Sequence, residues 1–194
     1  AWRLLPATEG VSEAFWSPDS SAIGFFANGR LSMVRLDGSV PRVLAQAADP
    51  GGGSWRGDSS EGLMIFATGG QLHTVDIKTG TLSPVALRLE SGERAFAPVF
   101  CPEGDNFVYF AEALNQQGEF VGTLYSASLS NPGGQRERIA STRYRPEFRR
   151  HPRTRQWMLF FNEREDVAVV YGSVMAAPAD PRTGRLTGPA LRVV

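Results

Sequence analysis

Phe15-Trp16-Ser17-Pro18-Asp19-Ser20-Ser21 recurs 39 positions later as Ser54-Trp55-Arg56-Gly57-Asp58-Ser59-Ser60. The echo extends outward from these turns. Each copy leads into an apolar run (Ala22 to Ala27, then Leu63 to Ala67) and a tight turn (Asn28-Gly29, then Gly69-Gly70). An alternating stretch follows, Leu31 to Leu36 and then Leu72 to Ile77. A fixed period of ~20–50 residues is the mark of a solenoid, propeller or array, because each unit must bury its apolar faces on its neighbours.

The first unit reads as four strands, Ser12 to Trp16, Ala22 to Ala27, Leu31 to Leu36 and Pro41 to Ala45, separated by Asn-Gly and Asp-Gly hairpin turns. The second reads as Gly52 to Trp55, Leu63 to Ala67, Gln71 to Ile77 and Leu82 to Leu87. The third begins at Phe96 and continues with Phe107 to Phe110, Leu124 to Leu129 and Arg136 to Ala140. A polar insertion from Glu112 to Gly122 lies in its middle hairpin and is expected to form a loop. The fourth, Tyr144 to Arg149, Trp157 to Asn162, Val169 to Ala177 and Ala190 to Val194, is the most divergent. Pro178, Pro181, Gly184, Gly188 and Pro189 should keep its last connection irregular.

The expected fold is therefore all-β. It is a β-propeller domain over residues 1–194, with blades of four antiparallel strands at about 12–45, 52–87, 96–140 and 144–194. Trp16, Trp55 and Phe100 are expected to pack between blades. Arg3-Leu4-Leu5 matches Arg42-Val43-Leu44, so residues 2–5 read as an outer closing strand whose own blade is missing. On that reading the chain belongs to a larger ring of about six blades, and an incomplete ring would self-associate through its uncovered faces. A closed four-bladed ring also fits the length.

Twenty basic residues balance twenty acidic ones, so no global field draws the chain to nucleic acid or to an anionic membrane. The longest nearly apolar stretch, Val167 to Ala179, is too short to cross a bilayer and contains Gly172 and Pro178. A single cysteine, Cys101, leaves no intrachain disulfide.

Trp16-Ser17-Pro18-Asp19 and Asp37-Gly38-Ser39-Val40-Pro41-Arg42-Val43-Leu44 resemble the TolB-like propeller repeat, in which an aromatic-Ser-Pro-Asp turn opens each blade. Val99 to Tyr109 resembles a third-blade version. Ser173 to Asp180, followed by Leu186-Thr187-Gly188-Pro189, is similar to propellers attached to bacterial serine/threonine kinases. The resemblance implies a non-catalytic binding, scaffold or sensor module, about six blades in all, and a periplasmic or extracytoplasmic setting, with a cytoplasmic one still open. It implies protein or small-ligand partners. The alternative is the substrate-gating propeller of a prolyl-oligopeptidase-like serine hydrolase, whose blades carry the same turns. The fourth unit departs from the pattern: Arg149-Arg150-His151-Pro152 stands where Ser-Pro-Asp would fall.

Catalytic chemistry finds little support in the residues. Asp19, Asp58 and Glu103 occupy equivalent turns, one per unit, and an Asp there caps backbone N–H groups. His73 lies mid-strand, His151 in a turn, and no Gly-x-Ser-x-Gly elbow is present. Cys101 has no partner at metal-ligand spacing and reads as a packing residue. Gly51-Gly52-Gly53 lacks the Lys-Ser/Thr of a phosphate loop. No metal and no cofactor are expected.

Eight arginines crowd residues 136–155, opposed only by Glu137 and Glu147. Six of them, Arg143, Arg145, Arg149, Arg150, Arg153 and Arg155, form the candidate patch for an anion or an acidic partner, since guanidinium forks bind carboxylates bidentately. The bland alternative is a solvated face of an arginine-biased protein. A nucleic acid fits poorly with zero net charge. Asn115, Gln116 and Gln117, in the insertion, form a second candidate, a recognition loop.

Overall fold

The structure, a computed structural model, describes residues 5, 7–58, 60–142, 145–163 and 173–193. Every regular element among them is a strand. The fold is that of a β-propeller, with four blades of four antiparallel strands, each ordered as in the sequence. The residues expected to form the closing strand fall mostly outside the described ones, as do Arg143 and Tyr144. The chain divides into two compact units, Ala1–Val85 and Ala86–Val194.

The first unit holds two blades. Blade 1 consists of β1 (Val11–Trp16), β2 (Ala22–Ala27), β3 (Arg30–Arg35) and β4 (Arg42–Gln46). Blade 2 consists of β5 (Pro50–Arg56), β6 (Leu63–Thr68), β7 (Gln71–Asp76) and β8 (Leu82–Pro84). Phe15, Phe26, Leu31 and Met33 of blade 1 and Trp55, Met64, Phe66 and Val75 of blade 2 form one apolar core. Burying each such side chain contributes about 1.5–3 kcal/mol.

The expectation for Trp16 is corrected here. Side chains alternate along a strand, and it is Phe15 that points into this core, 8% exposed, while Trp16 points the other way and is 58% exposed. Two glycines make the room: a Cβ on Gly24 or Gly53 would stand 2.6 or 2.8 Å from a ring carbon of Phe15. The triple glycine of β5 is thus partly explained by an aromatic ring seated on it. Trp55 packs between blades 1 and 2 as expected, and Phe100 is buried.

The second unit holds blade 3, with β9 (Arg94–Phe100), β10 (Asn106–Leu114), β11 (Phe120–Ser128) and β12 (Glu137–Ser141). Blade 4 follows, with β13 (Glu147–Arg150), β14 (Trp157–Glu163), β15 (Ser173–Pro178) and β16 (Leu191–Arg192). Val108, Phe110 and Leu124 meet Phe148, Leu159, Phe161 and Met175 in a second core. On the opposite face of blade 3, the Arg136 guanidinium lies 4.2 Å above the Tyr125 ring. It also pairs with Glu93, whose side chain is 7% exposed. The first arginine of the crowded segment is therefore a structural pin, not a free cation.

One further expectation changes. The insertion is not a loop: β10 and β11 extend through it, with Ala113 opposite Val121 and Leu114 opposite Phe120. Only Asn115 to Glu119 form the turn, closed by a hydrogen bond from the Asn115 N–H to the Glu119 carbonyl at 2.9 Å. Apolar residues at the paired positions carry the ladder outward despite the polar composition. The last connection holds no regular strand or helix, as expected, and is built from turns. Ala179 bridges Leu186, and the segment between them is a tight hairpin that folds back onto blade 3. Pro181 and Gly184 fit that turn.

Candidate functional site

Three hairpins share one turn. In each, the first residue donates its N–H to the carbonyl five positions on: Asp76 to Thr81 at 3.0 Å, His151 to Gln156 at 2.8 Å, Asp180 to Arg185 at 2.8 Å. The fifth residue donates back to the first: Gly80 to Asp76, Arg155 to His151 and Gly184 to Asp180, at 2.8–2.9 Å. That fifth residue must adopt a left-handed backbone, with φ of 75° at Gly80, 61° at Arg155 and 74° at Gly184.

The first side chain then caps the turn. Asp76 accepts from the Thr79 N–H at 2.7 Å, and Asp180 accepts from the Arg182 N–H at 2.8 Å. In the blade 4 hairpin, His151 does the same work through its ring: Nδ1 accepts from the N–H groups of Arg153 at 3.3 Å and Thr154 at 3.1 Å. The departure from Ser-Pro-Asp noted in the sequence is thus a change of turn as well as of capping group: in blade 1 the left-handed residue is the fourth, Ser20, whose N–H donates to the Ser17 carbonyl.

The other substitution in this turn has no such replacement. Where its sister turns carry glycine, it carries Arg155. A non-glycine residue in the left-handed region costs about 1–2 kcal/mol. Strained positions of this kind concentrate at functional sites. The Arg155 and Arg153 side chains are both exposed and have no acidic partner among the described residues.

The remaining members of the patch do not converge with them. Arg149 pairs with Glu147 on an exposed face of β13. Arg150 lies on the opposite face of that strand, with its guanidinium 4.6 Å above the Trp157 ring. Arg145 is exposed before β13, and Arg143 is outside the described residues. Of the six arginines, Arg153 and Arg155 share one hydrogen-bonded turn, and Arg150 stands on the strand leading into it.

The second candidate separates as well. Asn115 builds its own turn, its Oδ1 accepting from the N–H groups of Gln117 at 3.0 Å and Glu119 at 2.9 Å. Gln116 and Gln117 are exposed at the tip, flanked by Leu114 and Phe120, which are 59% and 55% exposed.

The residues read as structural have structural partners. Asp19 accepts from the Ser21 N–H at 3.1 Å, and Asp58 from the N–H groups of Ser60 and Glu61 at 2.8 and 2.7 Å. The Ser60 hydroxyl and these N–H groups hold the Asp58 carboxyl below its ordinary range. Glu103 instead lies 3.9 Å from Arg182. His73 stacks on Phe66, ring centres 5.6 Å apart. Cys101 is 3% exposed, and burial, helped by the Asp180 charge, pushes its thiol up to about 12. A thiol so disfavoured as thiolate is a poor nucleophile.

Sequence reading missed one feature, a cleft of about 310 Å³ between blades 3 and 4, lined by Asn106, Ser126, Ser128, Gln135, Glu137, Thr183 and Arg185 among others. Its walls come from separate stretches, and no local spacing announces them.

No family model and no curated protein matches the chain. Solved structures do. Regucalcin from Agrobacterium tumefaciens, a calcium-binding protein, shares 20% identity at a TM-score of 0.59, covering 94% of this chain and 58% of its own. The β-propeller domain of the Trilobed protease from Pyrococcus furiosus shares 10% at 0.50, covering 87% and 55%. TolB from Acinetobacter baumannii shares 15% at 0.45, covering 89% and 53%. At these identities the likeness is one of fold, and the chain spans little more than half the length of these proteins.

Proposed function

We propose that the chain is a non-catalytic recognition propeller that binds an acidic segment of a protein partner through the arginine turn of blade 4. The observation that carries this is Arg155. Its φ of 61° occupies the position that glycine holds in the two sister turns, and its side chain is exposed without an acidic partner among the described residues. Arginine adds nothing to the turn itself, so its use lies in the guanidinium it displays. Arg153, two residues earlier and equally exposed, supplies the second fork. The His151 cap holds the backbone between them, so little conformational freedom is lost on binding.

Titration with a hexaglutamate peptide at low and at moderate salt tests the proposal. Binding should weaken with salt, and Arg153→Ala with Arg155→Ala should reduce it about 10-fold or more, two charge-assisted contacts each contributing ~1.5–3 kcal/mol at most. Equal binding by the double variant overturns the reading. The extracytoplasmic setting and the link to a bacterial kinase, implied by the repeat resemblance, belong to the same proposal. Flanking coding sequence that encodes a kinase and a membrane span supports them, whereas a downstream hydrolase domain with a nucleophile elbow overturns them.

A further inference from the structure

The face of blade 3 that packs on blade 4 changes character along its length. Val108, Phe110 and Leu124 lie in the shared core. Two residues further along the same strands, on the same side, stand Asn106 and Ser126, and two beyond Ser126 stands Ser128. Asn106 is the cross-strand partner of Ser128, and Ser126 that of Glu137. Four polar residues thus form one continuous patch where apolar packing would otherwise continue. The blades part there, leaving the cleft of about 310 Å³.

The cleft is built, not a gap left by poor packing. The hairpin of residues 180–185 closes one side of it. The Ser126 hydroxyl, in a residue 3% exposed, donates to the Thr183 carbonyl. The Glu103 N–H donates to the Pro181 carbonyl at 2.8 Å, and the Arg185 guanidinium pairs with Glu137. Beside the lining residues Asn106 and Ser128, Asp105 accepts from the Ser130 N–H at 2.7 Å and ties the ends of the two strands together. Asn106 and Gln135 make no side-chain hydrogen bond within the described residues, so two primary amides are available in the cleft.

The chemistry of the lining selects the ligand by elimination. A free anion meets Glu137 as well as Arg185, and a free cation meets Arg185 as well as Glu137, so neither finds a net field. An apolar ligand meets no large apolar side chain there, since the only apolar residue of the lining is Ala127, and gains little from burial. What the cleft offers is hydrogen bonding in both senses. Two amides donate and accept, a carboxylate accepts and the remaining guanidinium N–H groups donate; the Ser128 hydroxyl, paired with that of Ser130 at 2.9 Å, and the Thr183 hydroxyl, which accepts from the Arg185 N–H at 3.3 Å, each keep capacity for a further bond. Adjacent hydroxyl groups on a ring match that set, each donating to one group and accepting from another.

We propose that this cleft is a binding site for a neutral polyhydroxylated molecule of the sugar class, one or two rings in size. It is separate from the arginine turn and does not depend on the function proposed for it. The test is titration of the chain with maltose, cellobiose and lactose, followed by ligand-observed nuclear magnetic resonance, with glycylglycine as the zwitterionic comparison. Gln135→Ala and Glu137→Gln are the variants. Gln135 is exposed and outside the hairpin's anchoring contacts, so its loss leaves the fold intact, checked by an unchanged melting temperature. The expected result is millimolar binding of at least one disaccharide, weakened about 5- to 10-fold by Gln135→Ala and further by Glu137→Gln, in line with one or two lost hydrogen bonds. No binding of any of the three sugars overturns the proposal. So does sugar binding that both variants leave unchanged, which would place the site elsewhere. Binding of glycylglycine alone also overturns it, and would assign the cleft to a zwitterion bracketing the Glu137–Arg185 pair.

Discussion

Replacing Gly184 by alanine should loosen blade 4 from blade 3, and the size of the effect follows from two separable costs. With φ of 74°, the backbone at Gly184 is left-handed, which costs a non-glycine residue about 1–2 kcal/mol, partly offset by the ~0.4–1 kcal/mol gained from a stiffer unfolded chain. The second cost is steric. The new Cβ would lie 2.5 Å from Val108 Cγ2 and 3.2 Å from Cys101 Sγ, both in the buried core between the blades. Overpacking of this kind costs about 1–3 kcal/mol. Gly80→Ala is the control: φ there is 75° in the same type of turn, and nothing lies within 4 Å of its Cβ. Gly80→Ala should destabilise by about 0.5–1 kcal/mol and Gly184→Ala by about 2–4 kcal/mol. In a chain of this size that difference is roughly 2–12 °C in melting temperature. Urea unfolding followed by circular dichroism reads it directly. Adding Val108→Ala to Gly184→Ala should recover the steric part, as a coupling of about 1 kcal/mol or more in a double-mutant cycle. If the two glycine variants melt together, or if the cycle shows no coupling, the hairpin does not pack on blade 3 as described.

Phe15→Ala should cost about 3–5 kcal/mol, the range for emptying a buried aromatic site, while Trp16→Ala should stay within ~1 kcal/mol, so equal losses in thermal melts would contradict the inward assignment of Phe15. Asp37, Asp58 and Asp76 are all held below the ordinary carboxylate range, chiefly by the Ser39 N–H, the Ser60 hydroxyl and the Thr79 N–H respectively. A carboxyl lowered in the folded state contributes stability above its unfolded value of ~3.9 and loses it as pH falls through the folded one. The melting temperature should therefore fall below about pH 4, less steeply in Asp58→Asn, and a flat profile would refute the caps. Arg155→Gly should raise stability by about 0.5–1 kcal/mol while weakening hexaglutamate binding, and a variant less stable than the parent would show that no strain is stored there.

The architecture was legible because its cause is local. Asn-Gly and Asp-Gly turns fix hairpin register, and strands apolar on both faces demand neighbours on both sides. β2 is read to the residue, Ala22–Ala27. Errors arose where a decision is made by something distant in sequence. Which of Phe15 and Trp16 turns inward depends on Gly53, in the next blade. The insertion in blade 3 is polar in composition, yet the register set further down the hairpin pairs Leu114 with Phe120 and carries the ladder through it. β8 ends at Pro84, short of Leu87, with the Val85 N–H making the last bond to the Leu72 carbonyl at 2.9 Å.

The site was half legible for the same reason. A run of arginines is visible in any sequence, but its meaning depends on which of them are already occupied. Arg136 is paired with Glu93, 43 residues upstream, and Arg185 with Glu137, 48 residues upstream. Neither pairing could be inferred from spacing. What the sequence did contain, and what a closer comparison of its turns would have found, is the alignment of Asp76 to Thr81 with His151 to Gln156 and Asp180 to Arg185. Two of the three end in Gly and one residue more, and the third has Arg155 in the glycine's place. An exception to a rule set by backbone sterics cannot be attributed to composition bias, because an arginine-rich genome gains nothing from placing one where the backbone disfavours it. The charge count of the segment therefore says less about recognition than the single conformation of Arg155, and a loss of binding on Arg155→Gly without loss of stability is the outcome that separates a functional arginine from a solvated one.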